Sequence, residues 1–283
     1  MKVMVTGATG QLGQEVVRAL DARGILCRGV SSADFDLTDA DAVMKAVTAD
    51  PPDAIVHCAA YTAVDLAESE PDKCMSVNAM GTLNLVRAAL RVNARLLYVS
   101  TDYVFPGTGD HLHETTSPTG PVNVYGLSKW QGEEAVRGLM TRCFILRTSW
   151  VFGPGGRNFV QTMARLGREK KQVNVVCDQI GAPTYTVDLA QLIAKMIRTD
   201  RYGVYHAAGG GECSFAALAQ AVMHLTGSPC RVNPIPSSDY PSAARRPLNS
   251  RLGMRSLDQA GFARLPHWED ALQRYLRQMH LIP

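Results

Sequence analysis

The 283-residue sequence lacks an excess of either charge: 29 Lys and Arg stand against 26 Asp and Glu, a net of +3. The basic residues are scattered, so there is no electrostatic footprint for a nucleic acid. Also lacking is any apolar run near the roughly 20 residues of a membrane span. The opening "KVMVTG" runs straight into structure, so no secretory leader is expected. Cys27, Cys58, Cys74, Cys143, Cys177, Cys213 and Cys230 form no C-x-x-C pair, and seven is an odd number. Most lie in apolar, strand-like surroundings such as "IVHCAA". That pattern predicts buried free thiols in a reducing compartment, with no disulfide framework and no thiolate metal site. The expected location is the cytoplasm. No internal repeat or low-complexity tract is visible.

What remains is an ordinary globular composition, 46% apolar and 19% charged, long enough for one large domain or two modest ones. "KVMVT", "ILCRGV", "DAIVHCAA", "RLLYVS" and "CFILRTSW" read as short apolar strands. Between them lie helix patterns: "QEVVRALDARG", "DADAVMKAVTAD", a long helix over "PDKCMSVNAMGTLNLVRAALRVN", and one following "SPTGPVN". Strands alternating with helices predict an α/β fold, a Rossmann-type doubly wound parallel sheet with helices on both faces. Beyond Trp150 the texture changes to a glycine-rich loop, "VFGPGGRN", and later to Pro-, Ser- and Arg-rich stretches. The expectation is a dinucleotide-binding domain over 1–151, with 182–207 returning to it. Residues 152–181 and 208–283 would form a smaller, interleaved substrate lobe.

"TGATGQLG" sets Gly7, Gly10 and Gly13 between the first strand and the first helix. Two glycines permit a tight turn and close approach to a pyrophosphate, and the third lets helix and strand pack closely. The helix N-terminus offers free N–H groups and the positive end of a dipole. At the adenosine end, the second strand finishes at Ser31-Ser32, where a carboxylate would otherwise read a ribose 2′-hydroxyl. A 2′-phosphate is therefore not repelled, which favours NADPH or dual use with NADH. Asp36-Leu37 is placed either to hold the adenine or to cap a local turn.

"VYGLSKW" places Tyr125 and Lys129 at i and i+4, on one helix face. A phenol near pKa ~10 is a poor proton donor, and a fixed cation nearby lowers that value. The spacing alone is weak evidence, since about 0.2 such pairs arise by chance in a chain with this many Tyr and Lys.

Together the glycine spacing, "STDYVF" and Y-x-x-x-K resemble the extended short-chain dehydrogenases/reductases. "CAAYTAVDLAESEPDKC", "STDYVFPGTGD", "PVNVYGLSK", "RTSWVF", "DQIGAPT" and "YPSAARRPLNSRL" narrow the resemblance to the dTDP-4-dehydrorhamnose reductases, over nearly the whole chain. The resemblance implies a dTDP-sugar substrate and hydride transfer to its C4 ketone. Tyr125 would be the proton donor, Lys129 the cation that lowers its pKa and holds the nicotinamide ribose, and Thr101 the hydroxyl at the carbonyl. Gly10, Gln11, Leu12 and Gly13 would follow the pyrophosphate, and Ala60, Tyr61 and Thr62 the cofactor at the end of the third strand. Asp102 and Trp150 match positions facing the sugar, although an aromatic at a strand end is also a common core residue. Arg246 suits a diphosphate, because a guanidinium pairs bidentately with phosphate oxygens, yet such arginines are as often simply solvated.

Some members bind Mg²⁺ between subunits. No local carboxylate cluster assigns such a site here, so a metal and a homodimer are left open. A 4,6-dehydratase would carry an Asp-Glu pair after the threonine, whereas Asp102-Tyr103 follows Thr101. A 4-epimerase shares the chemistry more closely. "DQIGAPT" and "RPLNSRL" favour the reductase. A non-catalytic regulatory subunit of the same fold, like the methionine adenosyltransferase β-subunit, is the alternative from another class.

Overall fold

In the computed structural model, which describes residues 1–283, six parallel strands form the central sheet. They are β1 (Lys2–Thr6), β2 (Leu26–Val30), β3 (Ala54–His57), β4 (Arg95–Thr101), β5 (Cys143–Thr148) and β6 (Gly203–His206), in the order β6-β5-β4-β3-β1-β2. The apolar runs read in the sequence are what a sheet buried on both faces requires. Side chains alternate across β1: Val3 and Val5 enter one core cluster, and Met4 enters the cluster on the opposite face.

Helices α1 (Gln11–Asp21) and α5 (Thr186–Met196) cover the first face, contributing Val16, Leu20, Leu189 and Ile193. Helices α2 (Ala40–Ala49), α3 (Gly81–Arg91) and α4 (Val124–Leu139) cover the second with Val43, Leu85 and Val136. Each of these side chains is essentially inaccessible, and burying one contributes about 1.5–3 kcal/mol. Strand β5 and helix α4 are also joined by a fully buried ion pair. Arg147 donates to Glu133 through Nε at 2.9 Å and Nη2 at 2.7 Å. The helix that carries Tyr125 and Lys129 is thereby fixed to the sheet.

The long helix expected over 71–93 is interrupted. A short helix, Pro71–Met75, passes through a π turn, Ser76–Met80, before α3 begins. Within that turn lies Asn78, whose side chain is engaged outside the helix. Its Oδ1 accepts from Tyr61 N–H at 2.7 Å, and its Nδ2 donates to Tyr61 C=O at 3.1 Å and Ser128 Oγ at 2.9 Å. Inserted single turns of this kind recur at functional sites.

A third core cluster lies among the helices Phe159–Glu169, Phe215–Leu225 and Trp268–Gln278. Beside it, strands Gln172–Val176 and Arg231–Ile235 pair in parallel. The second of these contains Pro234, which a two-stranded edge tolerates and which hid the strand in a Pro-rich stretch. The cysteines are all free, and Cys177, expected to be buried with most of the others, is exposed because it follows the end of its strand.

Candidate active site

Strand β1 is flanked by β2 on one side and β3 on the other, and the crevice outside the C-terminal ends of such strands is where open α/β sheets bind ligands. A cleft of about 910 Å³ occupies this position. The glycine turn forms its floor. Gly7 adopts φ +67°, and a Cβ there would lie 2.7 Å from the Ala59 backbone. A Cβ on Gly13 would lie 2.1 Å from the Gly7 carbonyl oxygen, so the two positions exclude any side chain. Helix α1 starts after Gly10 with no side-chain cap and no acid in its first turn. Its leading N–H groups are thus available to an anion, which is the fit a dinucleotide pyrophosphate needs.

Gly10, Gln11, Leu12 and Gly13 all line the cleft. The Gln11 side chain, however, is tied to the glycine-rich loop of the second lobe. It donates to Arg157 C=O at 3.1 Å and accepts from Asn158 Nδ2 at 3.1 Å. That loop brings Gly155, Gly156 and Arg157 into the wall, residues that sequence reasoning left without a role.

Beyond the end of β2, Ser31, Ser32, Asp36 and Leu37 line the cleft. Asp36 also caps its own turn, accepting from Thr38 N–H at 2.8 Å. Ser31 and Ser32 bring no acid to the cleft, and a nearby carboxylate, that of Asp34, is not among the lining residues. Asp34 folds back, and its Oδ2 accepts from Ser31 N–H at 2.7 Å and Ser31 Oγ at 3.1 Å. An Asp four residues beyond the strand closes a tight turn that strand boundaries do not reveal.

At the end of β3, Ala60 and Thr62 line the cleft but Tyr61 does not. Its hydroxyl donates to Glu70 at 2.9 Å, and its backbone is clamped by Asn78.

Thr101, at the end of β4, and Tyr125 and Lys129, on α4, share the cleft. Asn123 caps α4 by accepting from Gly126 N–H at 2.7 Å. A Cβ on Gly126 would lie 2.3 Å from the Tyr103 carbonyl oxygen, so this glycine lets α4 close onto the Asp102–Val104 turn. The Thr101 hydroxyl donates to Asp102 Oδ1 at 3.0 Å. Asp102 Oδ2, Ser100 Oγ and Thr148 Oγ1 are buried, without partners, and belong to residues lining the same cleft.

The electrostatics are dominated by burial. Lys129 forms no ion pair; its Nζ lies 4.1 Å from the centroid of the Tyr98 ring, and burial lowers its pKa to about 7 despite the opposing pull of Glu133. Burial also raises Asp102 to about 6. The Y-x-x-x-K spacing predicts that Lys129 lowers the pKa of the Tyr125 phenol. Here burial raises that phenol, Asp102 adds to the rise, and Thr101 opposes it. Spacing on a helix does not report desolvation. Buried His57 is lowered to about 3, first by burial and then by Lys129, and sits neutral between Thr6 and Thr82.

Trp150 lines the cleft with a left-handed backbone, φ +46°, and stacks on Phe215 with centroids 3.7 Å apart. A non-glycine residue held there is strained, and such strain clusters at ligand sites. Phe215, absent from the sequence expectations, completes the aromatic wall. Arg246 lies elsewhere, in a second cavity of about 500 Å³ with Gln179, Tyr240, Ser242 and Arg245. No group of three or more His, Cys, Asp or Glu side chains converges as metal ligands.

A parallel sheet with a glycine turn, and a helix carrying tyrosine and lysine at i and i+4, define an oxidoreductase of the extended short-chain dehydrogenase/reductase class. Within that class the chain belongs to the family described as RmlD substrate binding domain, which matches residues 1–281. It is 43% identical over 276 residues to the dTDP-4-dehydrorhamnose reductase of Streptomyces griseus, covering 95% of this chain and 91% of that one. Two solved structures are similar throughout. One is a dTDP-4-dehydrorhamnose reductase from Clostridium acetobutylicum, with TM-score 0.97, 36% identity, and coverage of 99% of this chain and 100% of that one. The other, from Bacillus anthracis, is in complex with NADP, with TM-score 0.95, 39% identity, and coverage of 98% and 99%.

Proposed function

We propose that this protein reduces the C4 ketone of dTDP-4-dehydro-L-rhamnose to dTDP-L-rhamnose, with NADPH accepted at least as well as NADH. The observation that carries this reading is the convergence of Thr101, Tyr125 and Lys129 on the cleft floored by the uncapped glycine turn. A reduced nicotinamide bound along that turn would supply hydride to the C4 carbon. Tyr125 gives its phenolic proton to the carbonyl oxygen, so one hydride and one proton convert C=O to CH–OH. A positioned acid of this kind contributes about 10²–10⁴-fold. Lys129 holds the ribose and offers a cation to the phenolate that Tyr125 becomes. Thr101 gives its hydrogen bond to Asp102 in this structure. To steady the developing oxyanion it must turn that hydroxyl toward the substrate.

Trp150 and Phe215 face the sugar ring, with Asp102 as a polar contact. Residues 152–181 and 208–283 select the nucleotide-sugar, and Arg246, beside the second cavity, takes the diphosphate. The rest of the chain holds the cofactor. The reading is supported by the family and by relatives named for this activity. Its test is NADPH oxidation by the purified chain given dTDP-4-dehydro-L-rhamnose. Ketosugar-dependent turnover is expected. NADPH binding without turnover would replace the enzyme by a binding protein.

A further inference from the structure

Asp65, in the first turn of the short helix Val64–Ala67 beyond β3, reaches 181 positions along the chain to the loop around Arg246. Four hydrogen bonds converge on its carboxylate. Oδ1 accepts from Ser242 Oγ at 3.0 Å, Ala244 N–H at 3.2 Å and Arg246 Nη1 at 3.0 Å; Oδ2 accepts from Arg246 Nη2 at 2.6 Å. A hydroxyl, a backbone N–H and a guanidinium fork aimed at a single pair of oxygens is the donor set that seats a phosphate. The donor residues Ser242, Ala244 and Arg246 line the second cavity, as does Arg245, and no carboxylate does. The Asp65 carboxyl is held down to about 2, chiefly by Arg246, so the pair is not released by protonation at ordinary pH.

We propose that Asp65 occupies the anion seat of the 242–246 loop as a stand-in for the substrate's diphosphate, and that the nucleotide-sugar displaces it on binding. The proposal rests on the reading of Arg246 given above. Asp65 is half exposed, at 51%, so water readily takes the place of the seat once the carboxylate swings out. A diphosphate brings more charge and more oxygens than one carboxylate, and so wins the exchange. The latch keeps the loop shaped for an anion, at the expense of some affinity for dTDP.

The experiment is calorimetric titration of the full chain with dTDP and, separately, with NADPH. Arg246→Ala should weaken dTDP binding about ten- to a hundredfold. Asp65→Asn should tighten it by about two- to fivefold, the loss of a half-exposed competing ion pair. Asp65→Ala, which removes every acceptor, should tighten it likewise. NADPH affinity should be unchanged in all three, which also checks folding. Weaker or unaltered dTDP binding in both Asp65 variants, with Arg246→Ala impaired, would make Asp65 an organiser of the loop and overturn the latch alone. Unaltered binding in Arg246→Ala would remove the diphosphate site from this loop, and the latch with it.

Discussion

Lys129 lies with its ammonium 4.1 Å from the centre of the Tyr98 ring, buried and without a carboxylate partner. A cation–π contact returns only part of what desolvation removes, and the amine's pKa falls to about 7. Burying this lysine therefore costs the fold stability.

The first prediction concerns that conflict. The unfolded chain protonates Lys129 near ~10.4, so between about 7 and ~10.4 the unfolded state binds more protons than the folded state. Stability from this group therefore rises with pH across that window, and its cost is full below about 7. Lys129→Met should raise the melting temperature of the unliganded protein at pH 6.5 to 7, by the equivalent of about 1–4 kcal/mol, and by less near pH 10. It should also abolish turnover. Thermal melts at the two pH values decide it; an equal gain at both would show that Lys129 is charged in the folded protein.

A second prediction follows from Asp102, raised to about 6 by burial. Ionised, it adds to the rise of the Tyr125 phenol. Asp102→Asn removes that negative neighbour and so lowers the Tyr125 pKa. Reduction needs the protonated phenol, so the alkaline limb of the kcat/KM profile should move to lower pH. A limb that stays in place, or moves up, would separate the phenol from the pH dependence.

The end of β2 supplies a third. Asp34 is tied to Ser31 by two hydrogen bonds, and Ser31 and Ser32 line the cleft. Ser31→Asp should shift preference toward NADH through like-charge repulsion of the 2′-phosphate. Asp34→Asn, by the same logic, should shift it toward NADPH. The ratio of kcat/KM for the two cofactors is the readout. If neither variant moves it, the 2′ group is read elsewhere.

The parts legible in the sequence are those whose partners are near in the chain. Gly7, Gly10 and Gly13 sit within seven consecutive residues, and Tyr125 and Lys129 four positions apart on one helix, so each set is readable as a unit, while the cleft they share belongs to the fold. Phe215 against Trp150, Gln11 against Asn158 and Asp65 against Arg246 are pairings across the fold, which no local pattern encodes. Signs of pKa shifts were hidden for another reason. Separation along the helix predicts that Lys129 lowers Tyr125, while burial, set by packing around the whole helix, decides the direction. The π turn at Ser76–Met80 was likewise invisible, because Asn78 looks like any polar residue until Tyr61 is seen against it.

In the proposed reaction Tyr125 is the proton donor. The most direct measurement is a single-turnover time course of NADPH oxidation by Tyr125→Phe with saturating dTDP-4-dehydro-L-rhamnose, alongside an NADPH titration of the same variant. The rate should fall about 10²–10⁴-fold while the dissociation constant for NADPH stays close to that of the parent protein. Oxidation at the parent rate would contradict the account, since the hydroxyl would then have no part in the reaction.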